Sequence, residues 1–225
     1  ASRSYLDITL EIIRAFGAEV TPDGYERFFV NNQKKYSGRV YAVEGDFSSA
    51  AYFFAIAAVC GGRTRVHNLN PHSVQGDRRF LEALSLMGCT VTYEKKTVTV
   101  EMTGDLKGIS FDMSSSPDSV QTLCMVAAIA KTPTTITGIG HLKYKESDRI
   151  SSTAERLKSL GGNVKVEHDR ITIYPACLHG GLIDPVNDHR TAMSFAVLGL
   201  GIGGITISNA ECVSKSFPEF WDLLA

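Results

Sequence analysis

The sequence has no apolar run long enough to cross a bilayer, no C-x-x-C pair of metal-binding type, no low-complexity linker and no surplus of charge of one sign. Each absence removes a class of function. A membrane helix needs about 20 consecutive apolar residues. With 23 Lys and Arg against 24 Asp and Glu, the net charge of -1 gives no general pull toward nucleic acid or an anionic membrane, so any affinity for anions has to be local. The five cysteines (Cys60, Cys89, Cys124, Cys177, Cys212) are an odd number, and Cys60 and Cys124 lie in apolar helical runs. Buried, reduced thiols are expected, ahead of disulfides, a zinc site or a nucleophile. Ala1-Ser2-Arg3-Ser4 carries no apolar core of a signal peptide, and the expected location is the cytoplasm.

What is present is enough for a sizeable core: 225 residues, 44% hydrophobic and 21% charged. The pattern repeats about every 70 residues. Asp46, Asp118 and Asp188 each stand before an apolar helix rich in small residues, over Phe47 to Val59, Ser119 to Ala130 and Thr191 to Leu200. Each acid is a candidate N-cap, and helices apolar on most faces belong in an interior. A β-branched strand follows each, over Thr64 to Leu69, Thr134 to Ile139 and Gly204 to Ser208. Next come polar loops around Ser73 to Asp77, Lys143 to Asp148 and Ser214 to Ser216. One-striped helices follow (Phe80, Leu84, Met87; Ile150, Ala154, Leu157), then hairpins over Val91 to Val100 and Val164 to Ile173. Leu6, Leu10 and Ile13 form the same stripe, stopped by Gly17, with a hairpin through Val30. The register implies that the chain opens and closes part-way through a unit, which leads us to expect a fragment, with Glu44-Gly45-Asp46 as its hinge.

If equivalent units pack around a pseudo-threefold axis, their loops and helix N-termini share one end of the domain. There Lys145-Glu146-Ser147-Asp148-Arg149 and Asn187-Asp188-His189-Arg190 meet Lys215. Cations beside free helix N–H groups suit a small, multiply anionic ligand. Lys145 and Arg149 are four apart and can reach one phosphate or carboxylate; Arg190 and Lys215 add two more cations. Taken singly, each is an ordinary surface cation, and only their alignment by the repeat points to a site. Asp118, after Ser114-Ser115-Ser116-Pro117, has two readings that stay open: a helix cap, or an ionised carboxylate able to remove a hydroxyl proton. Glu146 is either a first-turn glutamate or a proton shuttle. His189, between Asp188 and Arg190, is a candidate proton donor or hydrogen-bond partner.

At these residues the chain resembles the C-terminal half of the 5-enolpyruvylshikimate-3-phosphate synthase family. The resemblance runs through residues 2–9, Glu44 to Ala50, Gln75-Gly76-Asp77, Pro117-Asp118, Lys145 to Arg149, Asn187 to Arg190 and Lys215-Ser216-Phe217-Pro218. It implies an α/β fold, an inverted barrel-like domain of βαβαββ units about a pseudo-threefold axis. Residues 1–43 would be the tail of the other domain and residues 44–225 the C-terminal enolpyruvyl transferase domain. The implied reaction is transfer of the enolpyruvyl group of phosphoenolpyruvate to the 5-hydroxyl of shikimate 3-phosphate, a step toward the aromatic amino acids. Carried over by motif, Asp118 would accept the hydroxyl proton and Glu146 would take part in proton transfer at the enolpyruvyl methylene, with His189 a third catalytic candidate beside the phosphoenolpyruvate-binding cations. Ser2, Tyr5, Asp118, His141 and Lys145 would hold shikimate 3-phosphate, His141 standing where some members have asparagine. Arg149, Arg190 and Lys215 would hold phosphoenolpyruvate. No cofactor or metal is required, and the expected partner is the family's N-terminal half, whose P-G-S-K-S and G-N-A-G-T strings do not occur here. The alternatives are the sister reaction on a UDP-linked amino sugar and a non-catalytic domain that docks to a partner half.

Overall fold

The computed structural model describes residues 3–225. Helix α1 (Arg3–Ala15) and the hairpin β1 (Glu19–Asp23) and β2 (Arg27–Asn31) come first; residues 35–46 then run without regular structure. The remainder is built on three helices: α2 (Phe47–Cys60), α4 (Val120–Ala128) and α6 (His189–Ile202). These pack pairwise against one another, which is why they are apolar on nearly every face. Their contacts hold the centre of a core that includes Phe54, Leu123, Met125, Phe195 and Leu198. Each such side chain stabilises the fold by about 1.5–3 kcal/mol when fully buried.

Around this centre stand the striped helices α3 (Phe80–Met87) and α5 (Arg149–Ser159) and two larger sheets, one antiparallel and one mixed. One sheet has β3 (Gly62–His67), β5 (Thr97–Met102) and β4 (Thr90–Glu94) in that spatial order. The other runs β6 (Ser110–Asp112), β7 (Thr134–Thr137), β9 (Arg170–Tyr174), β8 (Asn163–Glu167). A third, two-stranded sheet pairs β10 (Gly181–Ile183) with β11 (Ile205–Ile207). β6 pairs parallel to β7 and β10 parallel to β11, so α4 and α6 are crossover helices of β-α-β units. A short final helix, α7 (Phe220–Leu224), seats Phe220 edge-on to Tyr52 with ring centroids 5.6 Å apart.

Two expectations change at this level. Asp118 is not a helix cap. Pro117–Ser119 form a 3-10 turn ahead of α4, the capping position passes to Ser119, and no side-chain cap bond is made. Asp46 and Asp188 do cap, accepting from the Ser48 and Ser49 amides and from the Arg190 amide. The cysteines also divide: Cys89 and Cys124 are buried, but Cys60 and Cys177 are exposed. Cys60 is the last residue of α2, where the chain leaves the core for Gly61 and Gly62.

Candidate active site

Three chain segments bring their polar ends to one place because the helices they introduce are packed together below it. The turn at 117–119 carries Asp118; the loop 145–148 carries Lys145 and Glu146 into Arg149 at the start of α5; α6 opens with His189 and Arg190. Lys215, closing the 3-10 turn Ala210–Lys215, reaches in from the third unit, and Tyr5 from α1.

Arg149 is the hub. Its guanidinium, 2% exposed, donates from Nε to Asp188 Oδ2 at 2.9 Å, from Nη1 to Asp118 Oδ1 at 3.0 Å and from Nη2 to Glu146 Oε2 at 2.7 Å. A buried charge is tolerable only when paired and hydrogen-bonded, and three carboxylates achieve this. Ser147 Oγ donates to the same Asp188 oxygen at 3.0 Å. Arg190, 12% exposed, donates from Nη2 to Asp118 Oδ2 at 2.9 Å and to Ser48 Oγ at 3.2 Å, and from Nη1 to Tyr52 Oη at 3.4 Å. The Tyr5 phenol donates to Asp118 Oδ2 at 2.8 Å, Lys145 Nζ lies 4.0 Å from Asp118 Oδ1, and Lys215 Nζ lies 3.2 Å from Glu146 Oε1. Asp118 is therefore held by two guanidinium groups and a phenol at once.

These neighbours set the acidities. Burial works to raise the Asp118 pKa, but Arg190, the Tyr5 hydrogen bond, Arg149 and Lys145 together hold it below the usual carboxylate value. Glu146 behaves likewise: burial opposes its ionisation, yet a backbone hydrogen bond, Arg149 and Lys215 bring it down to about 2. Burial and the negative fields of Asp77 and Asp118 push the Tyr5 phenol up, keeping it a proton donor at neutral pH. His189 is lowered by burial and then by Arg190, which favours the neutral ring. Its buried Nδ1 has no partner among the described residues, and the same is true of His141 Nε2.

The structure thus gathers Tyr5, Asp118, Lys145, Glu146, Arg149, Arg190 and Lys215 into one bonded network. His189 sits within its field, and His141 feels Lys145 and Asp118 without a hydrogen bond to either. Ser2 lies outside the described residues. Sequence reasoning missed the supports: Asp188 as partner of Arg149, and Ser48 and Tyr52, one turn apart on α2, as the seat of Arg190. Tyr52 was invisible as a site residue because an aromatic in an apolar helix reads as core, which it also is. Chemically, the arrangement offers one ionised carboxylate poised beside a phenol, a second ionised carboxylate beside an exposed lysine, and cations that can pass from these acids to an anionic ligand. No group of three or more His, Cys, Asp or Glu among the described residues is arranged to hold a metal ion.

Comparisons with known proteins give the family of this fold. The profile of the EPSP synthase family (3-phosphoshikimate 1-carboxyvinyltransferase) matches residues 1–224. The 3-phosphoshikimate 1-carboxyvinyltransferase of Methanoregula boonei is 67% identical over 225 residues, which is all of this chain and 53% of that protein. An EPSP synthase structure from Acinetobacter baumannii superposes with a TM-score of 0.82 at 31% identity, covering 94% of this chain and 52% of that one. The enolpyruvyl transferase NikO of Streptomyces tendae shares the fold, with a TM-score of 0.72 at 18% identity over 96% of this chain and 51% of its own. The chain spans about half the length of the relatives it matches. With the profile matched over residues 1–224, the chain belongs to the EPSP synthase family.

Proposed function

We propose that this chain forms one wall of an active site that transfers the enolpyruvyl group of phosphoenolpyruvate to the 5-hydroxyl of shikimate 3-phosphate. The other wall would come from the length that its relatives have in addition. The observation that carries the reading is the Asp118 carboxylate, held ionised by Arg149, Arg190 and Tyr5 and excused from capping. Residues 1–43 are assigned to the first domain and 44–225 to the second. The reaction would take place in the cytoplasm, and no helix among the described residues is long and apolar enough to cross a membrane.

In the addition step the 5-hydroxyl oxygen bonds to the central carbon of phosphoenolpyruvate, its proton passes to Asp118, and the methylene gains a proton. In the elimination step the new methyl loses a proton and phosphate departs. Glu146, with His189 beside it, is assigned the proton transfers at that carbon. Both acids are poor proton acceptors while their cations surround them. A phosphate or carboxylate that draws Arg190 or Lys215 to itself removes that stabilisation and raises their proton affinity, so ligand binding itself would activate the bases. Arg149 has three of five N–H donors engaged, which leaves two for the ligand. Ser2, Tyr5, Asp118, His141 and Lys145 are assigned to shikimate 3-phosphate, and Arg149, Arg190 and Lys215 to phosphoenolpyruvate.

The test is a comparison of the 225-residue chain with a protein of the relatives' full length, each supplied with both substrates. The full-length protein is expected to turn over and the chain by itself is not. Turnover by the chain at the full-length rate, or none by either, contradicts the proposal.

A further inference from the structure

Asp77 has no part in the roles above. It is the second residue of the 3-10 turn Gly76–Arg79, is 5% exposed, and accepts a hydrogen bond on Oδ1 from Ser119 Oγ at 2.7 Å. Its other carboxylate oxygen has no protein partner among the described residues. Gly76 makes the placement possible: a Cβ there would stand 1.9 Å from the Ser115 carbonyl oxygen, so only glycine lets this turn close against residues 115–119. Asp77 and Arg190 line one cavity of about 230 Å³ together with Tyr5, Asp46, Ser48 and Asp118.

The charges facing Asp77 can be taken element by element. Asp118 comes from the turn at 117–119, Asp46 from the start of α2, Tyr5 from α1 and Arg190 from α6. On its own turn the arginines point elsewhere, Arg78 to the Pro71 carbonyl at 2.8 Å and Arg79 to Glu82 at 3.4 Å. Among the described residues lining the cavity the one cation, Arg190, is committed to Asp118, and three carboxylates line the same cavity. Burial, and then the fields of Asp118 and Asp46, push the Asp77 carboxyl up to about 6 against the Ser119 hydrogen bond and Arg190. A further negative charge beside Arg190 has to be offset, and a carboxylate of already high proton affinity is the group that responds most readily.

We propose that Asp77 takes up a proton from solvent when an anion binds beside Arg190, so that anion affinity and the protonation of this carboxylate are linked. The proton goes to the oxygen that Ser119 leaves free, turning Asp77 from a repulsive charge into a hydrogen-bond donor facing the ligand. The inference deepens the function proposed above and rests on it for the identity of the anion.

The experiment is calorimetric titration of the full-length enzyme with shikimate 3-phosphate, and then with phosphoenolpyruvate, near pH 7 in buffers of different ionisation enthalpy. The number of protons taken up is then read for wild type and Asp77→Asn. Phosphate monoesters themselves titrate near pH 6, but that contribution is common to both proteins and cancels in the difference. The expected result is an extra uptake in wild type, approaching one proton per anion bound, that Asp77→Asn abolishes. Wild-type affinity should also fall by up to about tenfold per pH unit above the free-protein midpoint, relative to the variant. Equal uptake by both proteins would put the proton on another group, His189 being a candidate, and would overturn the inference. So would the absence of extra uptake in wild type. If the variant does not fold, carboxyl ¹³C NMR of wild type decides. A free-protein midpoint near 6 that rises on saturation supports the linkage, and a midpoint in the ordinary aspartate range overturns it. Failure of wild type to bind either substrate would instead overturn the functional reading together with the inference, and loss of binding in Asp77→Asn alone would overturn only the inference.

Discussion

The starts of α4 and α6 occupy the same place in successive repeat units, and each is introduced by an aspartate 70 positions from the other, yet the two acids do different work. Asp188 is wholly buried, caps its helix through the Arg190 amide and anchors Arg149 through Nε. Asp118 stands in a 3-10 turn that moves the helix start past it, so both its oxygens are available to side chains: Arg149 on one, Arg190 and Tyr5 on the other. A one-residue shift in where a helix begins separates a structural carboxylate from a chemical one. Asp46, at the third equivalent position, is a cap of the first kind, satisfied by the amides and hydroxyls of Ser48 and Ser49.

That contrast can be broken at several points. Asp188→Ala should have the largest effect on stability, about 3–5 kcal/mol, because it leaves a buried guanidinium without one of its partners. Chemical denaturation measures it, and a loss under 1 kcal/mol would mean that Arg149 does not depend on this anchor. Lys215→Ala comes next. Its ammonium is 62% exposed, so folding should hardly change, while the loss of a charge-assisted contact should weaken phosphoenolpyruvate use by about 1.5–3 kcal/mol and spare shikimate 3-phosphate binding. Steady-state kinetics with each substrate varied in turn would show the split, and equal weakening of both would remove the assignment. Asp46→Ala should cost about 1 kcal/mol of stability, the ordinary value of a cap, again read by chemical denaturation. The smallest effect concerns pH. The Glu146 pKa is lowered on folding, so its stabilising contribution is complete above the unfolded value of 4.5 and fades as pH falls toward about 2. The difference in melting temperature between wild type and Glu146→Gln should therefore hold down to about pH 5 and shrink from there toward about pH 3, and a difference that grows on acidification would reverse the sign of the account.

Much of this was legible in the sequence because the signals are long or repeated. Three apolar helices of small residues announced an interior triple packing, and the 70-residue register aligned Lys145 with Lys215 and Asp118 with Asp188 before any coordinate was known. What stayed hidden was short or tertiary. β6 and β10 are three residues each, too brief for alternation to show, and it is their parallel pairing that makes the units β-α-β. Asp118 before an apolar run reads as a cap; in the fold Pro117 opens a 3-10 turn instead, next to a tertiary bond from Ser116 Oγ to the Gly76 carbonyl at 2.5 Å. The four cations read as a free anion-binding cluster. Their mutual engagement by Asp118, Glu146 and Asp188 is a property of the folded chain, in which acids from separate units meet them.

Asp118→Asn in the full-length enzyme, measured for both turnover and thermal unfolding, tests the central claim most directly. Asparagine keeps the shape of the side chain and one acceptor oxygen, enough for Arg149 on one side or for Arg190 and Tyr5 on the other, and there is no cap to lose, so the variant should fold with a smaller stability loss than Asp188→Ala and bind shikimate 3-phosphate. Without a base for the hydroxyl proton, turnover should fall by about 10²–10⁴. Near-normal turnover combined with a large fall in melting temperature would make Asp118 a structural acid like Asp188 and contradict the account.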